Sequence, residues 1–421
     1  MKARTMPTQE VAGKSLSATA NAVQVEEDEP PLKPLMTKRH LFCNIPSEHW
    51  NDWRWHFRNR ITTVEGLSKY ILLSAKERAQ LRLVSIKYPL AITPYYLSLM
   101  NPADSLDPIC KQALPSIEEL SKSCISMEDP LAEEEHSVVP GLVHRYPDRV
   151  LMVLTDICPM LCRHCTRKRE WRHGGWVRTP EQFEDMLAYI RQHQEVRDVI
   201  VSGGDPLTLS TARLEEVLAG IRRIPHVEII RIGTRMPVVL PQRVDDELCN
   251  MLSKYGPIWL NTHFNHPYEV TPEAARACDR LLKAGIPVNN QSVLLKGVND
   301  SVETQVQLCH SLLRIKVRPY YLFQCDDVAG TEHFWTSVET GVNIIQGMRG
   351  FTSGLAIPTY VIDLPNGGGK IPVGPDYILE RTPEELIVRN YQGKIIHYSN
   401  PDNANTYADH IDVTCEDAIL A

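Results

Sequence analysis

The sequence has no long hydrophobic run and no excess of positive charge, and these two absences narrow its possible functions. None of its apolar runs approaches the roughly eighteen residues that a membrane helix needs, and its first residues lack the charged-then-apolar pattern of a secretory signal. The formal net charge of -7 gives no basic face for a phosphate backbone, so nucleic acid is not expected as a partner. We therefore expect a cytoplasmic protein, without membrane contact, that acts on a small molecule.

Composition and hydrophobic periodicity divide the chain into five predicted segments. Residues 1–38 are rich in Ser, Thr, Ala, Glu and Pro, which is typical of a disordered arm. Residues 39–135 have helical patterns and are expected to pack on the main body or on a neighbouring subunit. A core follows at 136–340, then a C-terminal region at 341–400 that mixes a helix with hairpin-like strands, and finally a tail at 401–421.

The core alternates short β-branched runs with amphipathic segments. Such alternation predicts an α/β fold with a parallel sheet and right-handed crossovers, and six units suggest a partial (βα)6 barrel, flanked by the helical N-terminal region and the small α+β C-terminal region. Functional side chains should then lie at the carboxyl ends of the strands. The predicted strands are 150–155, 198–202, 229–233, 258–262, 288–293 and 319–323, and the predicted helices include 181–194, 211–223, 272–284 and 301–314.

Three of the eleven cysteines lie together directly after the first predicted strand. Cys158, Cys162 and Cys165 share one loop, whereas the other cysteines stand alone and are interpreted as ordinary buried or surface thiols. A zinc ion would need a fourth ligand, and His164 is a poor choice because adjacent residues rarely bind the same ion. A [4Fe-4S] cluster on three cysteines leaves one iron open for a further ligand. The spacing favours the cluster over zinc or coincidence.

Other segments are weak signals taken singly. Ser202-Gly203-Gly204-Asp205 ends the second predicted strand but is also a common turn. Arg145 and Arg149 could grip a phosphate in a bidentate manner, although such charged segments are usually solvated. Lys370 follows three glycines that would let the backbone approach a flat ring closely, or it could be a solvated lysine in a hairpin turn.

Taken in order, these motifs resemble the lysine 2,3-aminomutase family of the radical S-adenosylmethionine superfamily, over roughly residues 40–400. The resemblance rests on Arg-Tyr-x-x-Arg at Arg145, C-P-M-x-C-R-H-C-T-R at Cys158, S-G-G-D-P-L at Ser202, N-T-H-F-N-H-P at Asn261, and the Gly-rich Lys370. It implies a [4Fe-4S] cluster, S-adenosylmethionine and pyridoxal 5'-phosphate as cofactors, and a reducing electron donor of the flavodoxin or ferredoxin type. It also implies a homo-oligomer.

The resemblance assigns a role to each matching position, with Lys370 attaching pyridoxal phosphate covalently. Asp326 and Asp363 match two aspartates that bind the side-chain ammonium of lysine, whereas the similar glutamate aminomutases carry Lys and Asn there. Asp327 makes the register ambiguous, and Asp326 is preferred because it directly follows a cysteine. The implied sites are the cluster ligands Cys158, Cys162 and Cys165; the pyridoxal phosphate residues Lys370, Arg145, Tyr146 and Arg149; the S-adenosylmethionine residues Ser202, Gly203, Gly204, Asp205, Gln291 and His164; and the substrate residues Arg167, Asp326 and Asp363.

The implied activity is an isomerase reaction that converts L-lysine to L-β-lysine by 2,3-migration of the amino group. The same chemistry on arginine, glutamate or a protein lysine is the closest alternative. A non-catalytic iron-sulfur electron carrier or sensor is the alternative from another class. Many relatives bind zinc through a C-terminal cysteine cluster and a cysteine that matches Ser301; since this chain has only Cys415 in its tail, no structural zinc is expected.

Overall fold

The structure, a computed structural model, describes residues 41–104, 106–121, 123–172 and 174–400, so the predicted arm 1–38 and tail 401–421 lie outside the described residues. The α-helices are α1 (Ser47–Asn51), α2 (Trp53–Arg58), α3 (Val64–Leu67), α4 (Ala75–Lys87), α5 (Pro94–Leu97), α6 (Pro108–Ala113), α7 (Pro180–Gln192), α8 (Thr211–Arg222), α9 (Met236–Val239), α10 (Asp246–Leu252), α11 (Pro272–Lys283), α12 (Val302–Arg314) and α13 (Val338–Met348). The strands are β1 (Ser137–Val139), β2 (Leu142–Tyr146), β3 (Arg149–Val153), β4 (Asp198–Ser202), β5 (Ile229–Gly233), β6 (Ile258–Thr262), β7 (Val288–Leu294), β8 (Arg318–Gln324), β9 (Thr359–Leu364), β10 (Gly369–Pro372), β11 (Ile378–Arg381), β12 (Glu385–Arg389) and β13 (Ile395–Ser399).

Ten strands form one sheet in which β1 to β10 are neighbours in chain order. Strands β3 to β9 run parallel, and β1, β2 and β10 add antiparallel edges. The six predicted strands are confirmed as β3 to β8, with ends that differ by at most two residues. The seventh parallel strand, β9, was not predicted as part of this sheet. It pairs with β8 on one side and forms a hairpin with β10 on the other.

Helices α7, α8, α11 and α12 cover the sheet, as predicted from their periodicity. Helix α7 shows why these segments are helical: Thr179 caps its N-terminus in a capping box with Gln182, and Pro180 occupies the first turn. Its buried residues repeat at three- and four-residue spacing, at Phe183, Met186, Leu187 and Ile190. Each of these helices connects two neighbouring parallel strands. The carboxyl ends of the strands therefore lie at the same edge of the sheet.

Alternate residues of the central strands lie in two different environments, the hydrophobic core and a cavity. In β4 and β5, Val199, Val201, Ile230 and Ile232 are buried in the same hydrophobic core as the helix residues. The residues between them are less buried and line a cavity. The second face of the sheet is therefore available for polar side chains.

The two ends of the ten-stranded sheet approach each other. Tyr146 at the end of β2 accepts a hydrogen bond at 2.9 Å from the backbone N–H of Lys370 in β10. Arg145, also in β2, lies 3.5 Å from the carboxylate of Asp363 in β9. The backbone N–H of Asn366, in the β9–β10 turn, donates to the carbonyl of Pro130 at 2.9 Å. The sheet thus curls into a barrel whose seam is closed by side chains and by a loop.

The helical region before β1 packs on the barrel, which is one of the two placements expected from the sequence. Residues of α2, α3, α5 and α6 share one hydrophobic core with the barrel helices. Thr93 donates to the carbonyl of Val239 at 2.6 Å, and the Tyr96 hydroxyl donates to Glu269 at 2.7 Å. The predicted C-terminal region 341–400 contributes strands to two sheets, since β11 to β13 form a separate antiparallel sheet. Within the described residues, no helix combines the length and apolar character that crossing a bilayer requires.

Candidate active site

A cavity of about 800 Å³ lies on the second face of the sheet, lined from the first residues of β3, β4 and β5 to the loops that follow their carboxyl ends. Every site residue predicted from the sequence lines it, although the motifs are spread from residue 145 to residue 370. They are Cys158, Cys162, Cys165, His164, Arg167, Ser202, Gly203, Gly204, Asp205, Gln291, Asp326, Asp363, Lys370, Arg145, Tyr146 and Arg149. The structure therefore brings the predicted cluster, cofactor and substrate residues into one chamber. Asp327 does not contribute to the lining, which supports the choice of Asp326.

The three-cysteine loop presents free thiols to the cavity. Burial raises the pKa of the Cys158 thiol well above its usual range, and burial together with the nearby Cys162 raises the pKa of Cys165 to about 11. Buried sulfurs of this kind ionise only when a cation compensates them, and iron is such a cation. Three cysteines on one loop can hold a [4Fe-4S] cluster and leave one iron open, whereas a structural zinc site needs a fourth ligand. The donor set therefore fits a multi-iron cluster better than one zinc ion.

Buried ion pairs hold this loop on the helical region. Arg163, inside the cysteine motif, donates through Nε to Glu119 at 2.9 Å, and Lys168 lies 2.7 Å from the same carboxylate. Arg163 and Glu119 are completely buried. Burial would raise the pKa of Glu119, but the charges of the two cations outweigh it and lower the pKa. Glu119 gives no signal in the sequence, because it stands beside Glu118, far from the cysteines, and such acids are usually solvated.

The glycines after β4 allow two loops to pack backbone to backbone. A Cβ on Gly203, whose φ is +143°, would lie 2.4 Å from the carbonyl oxygen of Thr155, and one on Gly204 would lie 2.5 Å from the carbonyl of Ile157. The backbone N–H of Asp205 donates to that Ile157 carbonyl at 2.9 Å. The glycine motif thus fixes the segment that leads into the cysteine loop, in addition to lining the cavity.

The Asp205 carboxylate is occupied by the chain itself. It accepts hydrogen bonds from the Thr234 hydroxyl at 2.7 Å, from the backbone N–H of Arg235 at 2.9 Å and from that of Leu207 at 3.0 Å. Burial raises the pKa of Asp205 to about 6 in spite of these donors. A carboxylate with so many internal donors has little capacity left for a ligand. Its contacts join β4 to the end of β5.

His164 and Gln291 retain unused polar atoms at the cavity. His164 is buried, and burial, followed by the charge of Arg235, holds its pKa well below the usual range, so the ring is neutral. Its Nε2 contacts the Asn265 side-chain amide at 3.2 Å, while its Nδ1 has no hydrogen-bond partner in the described part of the chain. The side-chain amide of Gln291 likewise makes no hydrogen bond to another described residue. These atoms suit a polar ligand such as S-adenosylmethionine.

Arg167 is held rigidly by a carboxylate that the sequence did not reveal. Its Nη2 and Nε donate to Glu133 at 2.6 and 2.9 Å, and its Nη1 donates to the carbonyl of Gly203 at 2.9 Å. Burial would raise the pKa of Glu133, but Arg167 and then Arg169 lower it to about 2. Glu133 stands in the run Glu133-Glu134-Glu135, which resembles a solvated acidic surface, so sequence patterns gave no reason to select it.

The predicted pyridoxal phosphate residues meet at the barrel seam. The guanidinium carbons of Arg145 and Arg149 lie 4.9 and 4.1 Å from the centre of the Tyr146 ring. The Lys370 side-chain amine lies 2.8 Å from Asp363. Two guanidiniums and one amine beside an aromatic ring match the needs of a phosphate dianion and an aldehyde. The residues present therefore fit pyridoxal phosphate.

Among the acidic side chains that line the cavity, Asp326 differs from the others. It makes no ion pair or hydrogen bond through its carboxylate to another described residue. Burial, followed by the like charge of Asp363, raises its pKa to about 7. The remaining lining carboxylates are all engaged: Glu133 with Arg167, Asp198 with Arg231 at 2.8 Å, Asp205 with Thr234, and Asp363 with Lys370 and Arg145.

Comparisons with known proteins agree with this arrangement. A family model described as "Radical SAM superfamily" matches residues 152–308, and one described as "Lysine-2,3-aminomutase" matches residues 345–419. The L-lysine 2,3-aminomutase of Fusobacterium nucleatum is 51% identical over 367 residues, covering 87% of this chain and 86% of the relative. That of Clostridium subterminale is 53% identical over 363 residues, covering 86% of this chain and 87% of the relative. A glutamate 2,3-aminomutase of Clostridioides difficile is 44% identical over 353 residues, covering 84% of this chain and 83% of the relative.

Proposed function

This chain belongs to the lysine 2,3-aminomutase family of radical S-adenosylmethionine enzymes, and from this premise we propose that it converts free L-lysine to L-β-lysine. In the proposed reaction, the α-amino group moves to the β-carbon. The family accounts for the isomerase class and for the cofactor set of [4Fe-4S] cluster, S-adenosylmethionine and pyridoxal phosphate.

The observation that supports lysine is the unpartnered carboxylate of Asp326. A buried carboxylate needs a nearby cation to remain ionised at neutral pH, and the described residues provide Asp326 with no ion pair. The side-chain ammonium of a bound lysine supplies that cation. Asp363, which also affects the pKa of Asp326, is close enough to share the ammonium. An anionic side chain such as that of glutamate would face two carboxylates and be repelled.

The bound cofactors supply the radical chemistry: the cluster and S-adenosylmethionine generate a carbon radical, and pyridoxal phosphate delocalises the unpaired electron. The residues of the chain bind the cofactors and the substrate and orient them. Cys158, Cys162 and Cys165 hold the cluster, and Lys370 attaches pyridoxal phosphate. Arg167 binds the substrate carboxylate opposite the aspartates. With both ends fixed, the β-carbon of lysine has one position in the cavity.

The other residues that line the cavity bind pyridoxal phosphate and S-adenosylmethionine. Arg145, Tyr146 and Arg149 hold the phosphate and ring of pyridoxal phosphate at the seam. Gln291 and His164 contact S-adenosylmethionine through their unused polar atoms. The loop from Ser202 to Asp205 shapes that site, and its Asp205 acts mainly by holding the loop. In this proposal residues 39–135 support the cluster loop, 136–340 form the barrel, and 341–400 complete the pyridoxal phosphate site.

We place the enzyme in the cytoplasm, with a flavodoxin- or ferredoxin-type electron donor and a homo-oligomeric state. The absence of structural zinc stays a prediction, since Cys415 lies outside the described residues.

Product analysis after anaerobic incubation tests the activity. Purified protein is reconstituted with iron, sulfide and pyridoxal phosphate and incubated with S-adenosylmethionine, a strong reductant and L-lysine, L-arginine or L-glutamate in parallel. We expect β-lysine, and kcat/KM for lysine well above the other two. A higher kcat/KM for arginine or glutamate would contradict the proposed substrate. The absence of a pyridoxal absorption band that borohydride removes would favour a non-catalytic iron-sulfur protein instead.

A further inference from the structure

Arg235 places a guanidinium against one of the cluster thiols. It directly follows β5, and its Nη1 lies 2.8 Å from the Sγ of Cys162. Its side chain is only 8% exposed, so water does not screen the contact. Among the described residues, no other side chain donates a hydrogen bond to the sulfur of a cysteine in this loop. Arg60 also reaches the loop, but its Nη1 donates to the backbone carbonyl of Cys158 and not to a sulfur.

The chain fixes the guanidinium through its other nitrogens. Nε donates to the carbonyl of His263 at 3.1 Å, and Nη2 donates to Gln112 at 2.6 Å and to Glu269 at 2.8 Å. The backbone N–H of Arg235 donates to Asp205 at 2.9 Å. Because the guanidinium is planar, these contacts determine the direction of Nη1. The donor to Cys162 is therefore preorganised.

The positive charge of Arg235 is balanced by one buried carboxylate. Glu269 is completely buried and also accepts from the Tyr96 hydroxyl at 2.7 Å and from the backbone N–H of Asn265 at 2.6 Å. Because these neutral donors also stabilise the negative charge of Glu269, that carboxylate only partly neutralises Arg235. The guanidinium therefore keeps a net positive potential at the sulfur of Cys162. The histidines nearby, His164 and His263, are neutral, because burial foremost and the charge of Arg235 next lower the pKa of each.

We infer that Arg235 raises the reduction potential of the [4Fe-4S] cluster by donating an N–H bond to the sulfur of Cys162. This inference rests on the cluster assignment of the proposed function. Reduction adds one electron, taken from the reducing donor, and places more negative charge on the thiolate sulfurs. A fixed, desolvated cation stabilises that charge, and hydrogen bonds to cluster sulfurs are a known determinant of such potentials. Arg235 thus makes the cluster easier for the donor to reduce.

The test compares midpoint potentials of reconstituted variants by anaerobic titration followed by electron paramagnetic resonance. In Arg235→Gln, the ratio of reduced to oxidised cluster at a fixed solution potential should fall about tenfold, which is a shift of about 59 mV to more negative potential. Glu269→Gln should shift the potential the opposite way, because it leaves the charge of Arg235 less balanced. A merely structural role would move both variants in the same direction.

Arg60→Gln is the matched control, since Arg60 places a positive charge beside the same loop but donates to a backbone carbonyl and not to a sulfur. Its shift should be less than half of the shift in Arg235→Gln, and an equal shift would overturn the inference. Arg235→Lys, which keeps the charge but loses the planar fork, should lie between wild type and Arg235→Gln. A wild-type potential in Arg235→Gln, or loss of iron from both Arg235 variants, would also overturn it. Failure of the wild-type protein to hold iron would instead contradict the proposed function.

Discussion

Replacing Asp326 with Asn should weaken lysine binding and at the same time stabilise the lysine-free protein. Both effects have one cause, the unpartnered carboxylate in the cavity wall. With lysine bound, Asp326 is one half of a buried ion pair; without lysine, it is a buried charge close to Asp363. The substitution keeps the size of the side chain and removes only the charge.

The loss of binding follows from breaking a buried pair at one partner, which costs about 3–5 kcal/mol. Taking about 3 kcal/mol, KM for lysine rises roughly 150-fold in Asp326→Asn. Because the wild-type carboxyl has a pKa of about 7, it is mostly protonated at pH 6 and mostly ionised at pH 8. The apparent affinity of the wild type for lysine should therefore increase about tenfold from pH 6 to pH 8 and level off above. The variant should show no such increase.

The same substitution weakens lysine binding but should increase the free energy of unfolding of the lysine-free protein. The folded protein raises the pKa of Asp326 from 3.8 to about 7, so it binds this proton more tightly than the unfolded chain does. The resulting stabilisation is complete below about pH 4 and is lost as pH rises to about 7, a change of up to roughly 4 kcal/mol. Since Asn is neutral at every pH, Asp326→Asn should be more stable than wild type above pH 7 and not below pH 4.

Two assays check this reasoning on cluster-loaded protein: KM for lysine from pH 6 to pH 8, and thermal unfolding without lysine over a wider range. Asp327→Asn is the matched control, because Asp327 does not line the cavity. It should keep the wild-type KM at pH 8, and its pH profile should move only slightly to lower pH, because Asp327 raises the pKa of Asp326 less than Asp363 does. A flat pH profile in the wild type, or the same profile in Asp326→Asn, would refute the ionisation argument. Destabilisation of Asp326→Asn at pH 8 would refute the claim that the carboxylate has no partner.

Three further substitutions test other contacts. Glu133→Gln should raise KM for lysine about tenfold with a smaller effect on kcat, because Arg167 loses its charged support, whereas the exposed Glu134→Gln should not; equal KM values in both would contradict this. Lys370→Ala should abolish turnover and the borohydride-sensitive absorption band, and full turnover would exclude covalent attachment there. Glu119→Gln should lower the free energy of unfolding by about 3 kcal/mol, since it leaves two buried cations unbalanced; chemical denaturation measures this, and an unchanged midpoint would contradict it.

The parallel strands could be predicted because each is a short β-branched run between helical segments. The limits of β4, β5 and β6 coincide with their predicted limits. Strand β9 is different: Thr359–Leu364 precedes a glycine-rich turn and looks like one arm of a hairpin. It is one, but its other edge pairs with β8. Local patterns do not determine which strand a given edge will pair with, so the seventh parallel strand appears only in the folded chain.

Spacing along the chain explains which parts of the site could be found. The cluster cysteines lie within one loop, so their spacing alone indicated their role. Tyr146 and Lys370 touch at the seam but are 224 residues apart, and only the resemblance to a family joined them. Glu133 and Arg235 were missed because an acidic run and a single arginine are both usually solvated. Their burial and their partners, which decide their roles, are properties of the tertiary structure.

The negative charge of Asp363 predicts which substitutions would change the substrate specificity from lysine to an amino acid with an anionic side chain. A glutamate 2,3-aminomutase is 44% identical to this chain, and the family resemblance implies Lys and Asn in such enzymes at the positions of Asp326 and Asp363. A single Asp326→Lys would place an ammonium near Asp363, which would pair with it and leave no charge free for substrate. Adding Asp363→Asn removes that partner. Glutamate conversion should therefore appear in the double variant and not in either single one, so the two effects are non-additive. Product analysis with glutamate checks this, and conversion by Asp326→Lys alone would show that Asp363 does not neutralise the new cation.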